Sequence, residues 1–461
     1  MTPFLSRLTK AWSHRPTHTK AWTLAAPMVL SNLSVPLVAL TDITVVGHLP
    51  QAHQLGAVAV GAMFYEVMLG LFVFLRMGTT GFAAQAAGRS DGNELRRILF
   101  QSLVLGFGLA LLVAVIAVPV GNTLLDSMSA SPELKSLAQT YFQTRLFGLP
   151  AALTSCALIG WFLGIQNVRV PLGMLLTTNI INMMLALWFV LSLDWEAPGA
   201  ARASVIAEWA GALLGLGLAW LVLPRYPGQL ELSRLGHWRA WQPLLAVNRD
   251  ILIRSLLLQG VFLLIAWRGA QLGDATVAAN ALLLNGLLFT AFALDGLAHA
   301  LEALSGHAIG AGDRSGLERV LVICSGWAFI ISLGFALFFW IGGNRFIQFQ
   351  TDIEEVRSAA QAYLPYLILL PPIAVWSYML DGLFIAATRA REMRNAMLLA
   401  ALLALPLGWL TSGWGNHGLW LTFIAFMLLR GLCLGREAWR LEHQGWIRPR
   451  EPQSPIATPA G

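Results

Sequence analysis

From residue 22 to residue 437 the chain alternates between long apolar runs and short polar connections. A helical run of about 20 apolar residues matches the roughly 30 Å hydrocarbon core of a bilayer. Only helices and closed barrels satisfy their backbones there, and runs of this length are helices. They fall near 22–46, 56–80, 98–120, 137–160, 168–192, 200–223, 249–270, 277–300, 317–341, 360–387, 394–411 and 417–437. The pattern predicts an all-α polytopic membrane protein with twelve transmembrane helices. Only 12% of the residues are charged, about half the ~25% of a soluble domain.

The net charge of +6 does not point to nucleic acid, because the basic residues sit between the apolar runs and form no basic face. Cys156, Cys324 and Cys433 lie far apart in apolar segments and have neither metal spacing nor a disulfide framework. With the N-terminus in the cytoplasm and alternating connections, about 23 of the 30 Lys and Arg fall on the cytoplasmic side. Both termini are therefore expected in the cytoplasm. The domain plan is an N-terminal six-helix lobe (1–223), a cytoplasmic linker (224–248), a C-terminal six-helix lobe (249–440) and a cytoplasmic tail (441–461).

The halves resemble each other. GRSDGNELRRIL at 88 pairs with GAGDRSGLERVL at 310, an offset of 222 residues. At that offset Tyr141 meets Tyr363, Pro150 meets Pro372, Gly160 meets Gly382, Phe162 meets Phe384 and Arg169 meets Arg391. QLGAVAVGA at 54 pairs with QLGDATVAA at 271 at a slightly shorter offset. Six spans is an even number, so both lobes enter from the same side and form a pseudo-symmetric pair. Parallel repeats of this kind are a transporter design.

Particular stretches carry a resemblance: AAPMVLSNLSVPLVALTDITVVGHL at 25, LRMGTTGFAAQAAG at 75, NRDILIRSLLLQ at 248, FALDGLAHALEALSGHAIG at 292 and DGLFIAATRAREMRN at 381. With the repeat, they resemble the multidrug and toxic compound extrusion (MATE) family, in its DinF-type, damage-inducible branch. The resemblance implies twelve helices in two bundles. It also implies a secondary active antiporter in the bacterial inner membrane, exporting organic, often cationic or amphipathic compounds on an H⁺ or Na⁺ gradient.

Asp42 lies inside the first apolar run, where an ionised Asp costs about 2.5–3.5 kcal/mol on the insertion scale. At about 100° per residue Pro27, Ser31, Ser34, Thr41 and Asp42 share one helix face, which should point into the bundle. Desolvation penalises the ionised form, so proton binding removes a buried charge and changes the favoured packing. Asp42 reads as the ion-coupling carboxylate, or as a structural Asp bonded to polar neighbours. Pro36 lacks an amide hydrogen and weakens the helix locally.

The resemblance matches Asp42 to the family's first-helix coupling Asp, and Pro27 to the Pro at which that helix bends. It also matches Asn182 to a fifth-helix Asn and Ser204 to a sixth-helix Thr. Asn179 lies one turn before Asn182. Where the family often has a second Asp this chain has Ala186. A hard cation wants several oxygen ligands, so H⁺ is the expected coupling ion rather than Na⁺, with no other cofactor and no metal. Glu208, one turn beyond Ser204, supplies the missing charge or packs against a bonded partner.

Asp295, Asp381 and Gln259 are the polar groups available for a C-lobe site, with Arg254 or the backbone as partners for the two carboxylates. Met63, Phe64, Met68, Met174 and Met183 offer an adaptable apolar wall for substrate, although core packing explains them as well. A lipid-linked oligosaccharide flippase of the same superfamily is the alternative; it needs cationic cavity groups, and buried Lys is absent. His299 and His307 are not arranged as a His-x-x-x-His or Glu-x-x-His pair, so nothing in the apolar segments supports an intramembrane enzyme. The expected partners are small organic substrates and membrane lipids, with the chain acting as a monomer.

Overall fold

The structure is a computed structural model that describes residues 3–47, 52–128 and 130–445, with residues 3–5, 33–47, 52, 232 and 234 described by backbone alone. Among the described residues every element is helical. In chain order these are α1 (Pro3–Trp12), α2 (Arg15–Gly47), α3 (Ala52–Leu71), α4 (Phe74–Gly88), α5 (Gly92–Ser127), α6 (Pro132–Leu146), α7 (Leu149–Gly164) and α8 (Arg169–Ala186). Then follow α9 (Glu196–Val222), the short α10 (Leu232–Leu235), α11 (Trp238–Ala270), α12 (Asp274–Ala311), α13 (Arg314–Gln350), α14 (Glu354–Ala386), α15 (Ala390–Leu410) and α16 (Asn416–His443). A π-helical turn, Leu187–Ser192, continues α8.

Among the described residues ten helices are long and apolar enough to cross a membrane, with α3 and α4 counted as one. An eleventh forms if α6 and α7, which meet at a 47° bend, make one span. All eleven coincide with expected runs; the first expected run falls on α2. The helices present apolar side chains outward, as Leu111, Leu112, Val115 and Ile116 do on α5. Such faces suit a lipid solvent and not water.

The chain divides into two compact units, residues 24–83 with 91–256, and residues 1–23 and 84–90 with 257–461. The 224–248 connection and the start of α11 thus pack with the first unit. The cause is local. The Arg96 guanidinium donates to the carbonyls of Tyr226 and, at 3.0 Å, of Leu223. The Gln229 amide donates to the Asn93 side chain at 2.7 Å. In the second unit, segment 84–90 packs on α12 through glycines: Gly88 lies on the His307 carbonyl and Gly310 on the Gln85 carbonyl.

The repeat is visible inside each unit. Asp91 caps α5 by accepting from the Glu94 amide at 3.0 Å, and at the repeat position Asp313 caps α13 by accepting from the Gly316 amide at 2.8 Å. The preceding residues, Ser90 and Gly312, are both left-handed, as are Gln166 and Thr388. Burial resists ionisation of Asp313, but the Gly316 amide, the Ser315 hydroxyl and Arg319 outweigh it and hold the carboxyl below its ordinary value. That cap is therefore intact at neutral pH, and its contribution is lost only as pH falls through the lowered value.

Helix crossings repeat as well. A Cβ on Gly160 would run into the Arg76 carbonyl oxygen; one on Gly382 would stand 3.1 Å from the equivalent Ala298 oxygen. Gly160→Ala is therefore expected to cost about 1–3 kcal/mol, the range for overpacking. Gly382→Ala should cost less, because its neighbour has only tenths of an ångström to give. Melting temperatures of the two purified variants check this order.

Candidate functional site

Small residues bring α8 and α9 together: Gly211 lies on Thr178, and Gly215 on Met174. Between them Asn182 Nδ2 donates to Ser204 Oγ at 2.9 Å, and Ser204 Oγ donates to the Ala200 carbonyl at 3.2 Å. The Ser204 hydroxyl has one hydrogen and spends it on Ala200, so the Asn182 amide must be the donor in their contact. Both side chains are buried. Among the described residues no donor reaches Asn182 Oδ1. A buried carbonyl oxygen of this kind is an open acceptor for a proton-bearing group.

Around this pair the expected residues are distributed unevenly. Asn179 is half-buried one turn earlier, and Ser31 on α2 is fully buried. Ala186 is fully buried against Phe189 and Ala203, so the position of the absent second carboxylate is apolar packing. Pro27 is half-buried in α2. Asp42 and Pro36 also belong to α2, which stays helical through both prolines, but their side chains lie outside the described residues.

Glu208, one turn along α9 from Ser204, bonds to neither member of the Asn182 pair. Its carboxylate meets Arg145 of α6 at 2.9 Å and accepts from the Tyr65 hydroxyl of α3 at 3.2 Å. The Arg145 guanidinium also lies over the Tyr65 ring, 4.0 Å from its centroid. Burial leaves little water to solvate either charge, so each holds the other in place.

The methionine wall is not assembled as one surface. Met174 is buried beneath Gly215, whereas Met63 and Met183 are exposed. Phe64 packs edge-on against Phe142, and Met68 is half-buried on α3. In the second unit Asp381 is buried and pairs with Arg430 of α16. Gln259 is exposed on α11 and bonds to neither carboxylate, and Asp295 is half-buried on α12. Arg145, Tyr65 and Arg430 were not singled out from the sequence as partners of these acids. One signal was available: Arg430 stands at the repeat position of Glu208. The sixth helix of each half thus carries one member of a buried ion pair, with the sign reversed.

A MatE family model matches the chain twice, over residues 27–188 and 251–410. The chain belongs to the MatE family. The two matches coincide with the two halves of the repeat. DNA damage-inducible protein F of Escherichia coli (strain K12) is 42% identical over 427 residues, covering 91% of this chain and 92% of that protein. A probable multidrug resistance protein NorM of Xanthomonas campestris is 27% identical, covering 89% and 92%. A crystal structure of MATE in the bent conformation superposes with a TM-score of 0.84 at 18% identity, covering 95% of this chain and 98% of that one. This MatE protein is therefore an all-helical, multi-pass membrane protein of a multidrug efflux transporter family and not an enzyme.

Proposed function

We propose that this MatE protein is a proton-driven antiporter of the bacterial inner membrane, exporting organic, often cationic or amphipathic compounds. Protons enter through Asp42. Both termini face the cytoplasm, and the chain works as a monomer. The observation that carries the reading is the buried Asn182–Ser204 pair with its open carbonyl oxygen, beside a fully buried Ala186. A protonated carboxyl has one hydrogen to donate and needs one such acceptor. A Na⁺ ion needs several oxygens and compensating charge, and an alanine at 186 removes one carboxylate from the set. Protonation also relieves the cost of an intramembrane charge, so the two protonation states favour different packings.

The test uses purified protein in liposomes and tetraphenylphosphonium, an organic cation. Uptake into inverted vesicles is expected to follow an imposed pH gradient at fixed Na⁺. A response to a Na⁺ gradient at fixed pH, with none to the pH gradient, would overturn the proton reading.

A further inference from the structure

A cavity of about 240 Å³ lies between α11, α15 and α16, wholly within the second unit. At the offset of 222 residues Asn179, Asn182, Ala186 and Ser204 become Ala401, Ala404, Gly408 and Phe426, and all four of these line the cavity. The cavity is thus the repeat counterpart of the polar α8–α9 site, with each amide and hydroxyl replaced by an apolar group. These four positions offer no ligand to an ion, but they suit hydrocarbon.

One end of the cavity is different. Arg268, near the end of α11, is exposed at its rim together with Gln271. Its guanidinium lies 5.3 Å from the Trp267 ring centroid and donates to Gln271 Oε1 at 3.3 Å. Among the described residues no carboxylate pairs with it. A guanidinium with unused donors is matched to a carboxylate or another planar anion. An apolar chamber with one uncompensated cation at its mouth describes an amphiphile with one anionic end.

Size selects the number of chains. The volume falls below the ~300–1,000 Å³ of pockets for drug-sized ligands, so one alkyl chain fits, and the two chains of a phospholipid do not. We infer that this cavity binds a single-chain anionic amphiphile, its chain lying between α11, α15 and α16 and its acid group on Arg268. The site needs no gradient and does not depend on which ion drives transport.

The experiment measures equilibrium binding of radiolabelled decanoate to the full chain in phosphatidylcholine nanodiscs, with empty nanodiscs subtracted and decanol as the uncharged analogue. Saturable decanoate binding is expected. Arg268→Gln should weaken decanoate at least tenfold and leave decanol unchanged, while Ala404→Phe, which fills the chamber, should remove both. Each variant is compared at matched melting temperature; should Ala404→Phe fold poorly, Gly408→Leu fills the same space. Absence of saturable binding, equal decanoate affinity in Arg268→Gln, or displacement of decanoate by phosphatidylglycerol placed in the nanodisc would each overturn the inference.

Discussion

Asp42→Asn is expected to abolish gradient-driven export while leaving the yield of folded protein unchanged. Asn keeps the shape of Asp and imitates its protonated form permanently. It removes a charge that costs about 2.5–3.5 kcal/mol within the membrane, so insertion does not suffer. Substrate still binds, and exchange of substrate across the membrane persists. What disappears is the difference in proton affinity between the two transport states, and a gradient without differential affinity biases nothing. Ser31→Ala should reduce export only modestly, since its hydroxyl does not titrate near neutral pH. Export rate per folded molecule against imposed pH gradient measures both variants. Poor folding of Asp42→Asn, or an undiminished rate, would make Asp42 a structural residue.

Removing Arg430 is expected to be the most destabilising single change in the second half of the chain. Arg430 is 1% exposed and its partner Asp381 is 6% exposed. Arg430→Met breaks this buried ion pair by removing one member, which costs about 3–5 kcal/mol. The double variant Arg430→Met with Asp381→Leu should recover most of that loss, because replacing both members of a buried pair with apolar groups is often neutral. Thermal unfolding of the single and double variants in one detergent checks the pattern. Equal destabilisation by the double variant would show that the pair contributes more than mutual compensation.

The membrane helices were legible because length and apolarity are properties of single segments. The repeat was legible for a similar reason: Asp91 and Asp313, or Gly160 and Gly382, act within a few residues or at a crossing that forbids a side chain. Asn182 and Ser204 could be named through the family resemblance, and the structure brings them into hydrogen-bond contact. Partners across helices were not legible. Glu208 is one turn from Ser204 along α9, yet it points to α6 and α3, where Arg145 and Tyr65 wait. Arg430 lies in the last apolar run, and nothing local to it names Asp381, 49 residues earlier, as its partner. Met174 and Met183 were grouped in one apolar wall. At about 100° per residue, nine positions place them on opposite faces of α8, one buried and one exposed. The packing of 224–248 with the first unit also depends on tertiary contacts, those of Arg96 and Asn93.

The central claim, exchange of substrate for protons through Asp42, is tested most directly by proton movement driven by substrate alone. Liposomes containing a pH-sensitive dye are loaded with tetraphenylphosphonium and diluted into substrate-free medium, with no pH or Na⁺ gradient imposed and the membrane potential clamped. The account predicts that the lumen acidifies as substrate leaves through wild-type protein, and that Asp42→Asn gives no pH change. A substrate-dependent pH change of equal size in Asp42→Asn, or substrate exit from wild-type liposomes with no pH change, would contradict it.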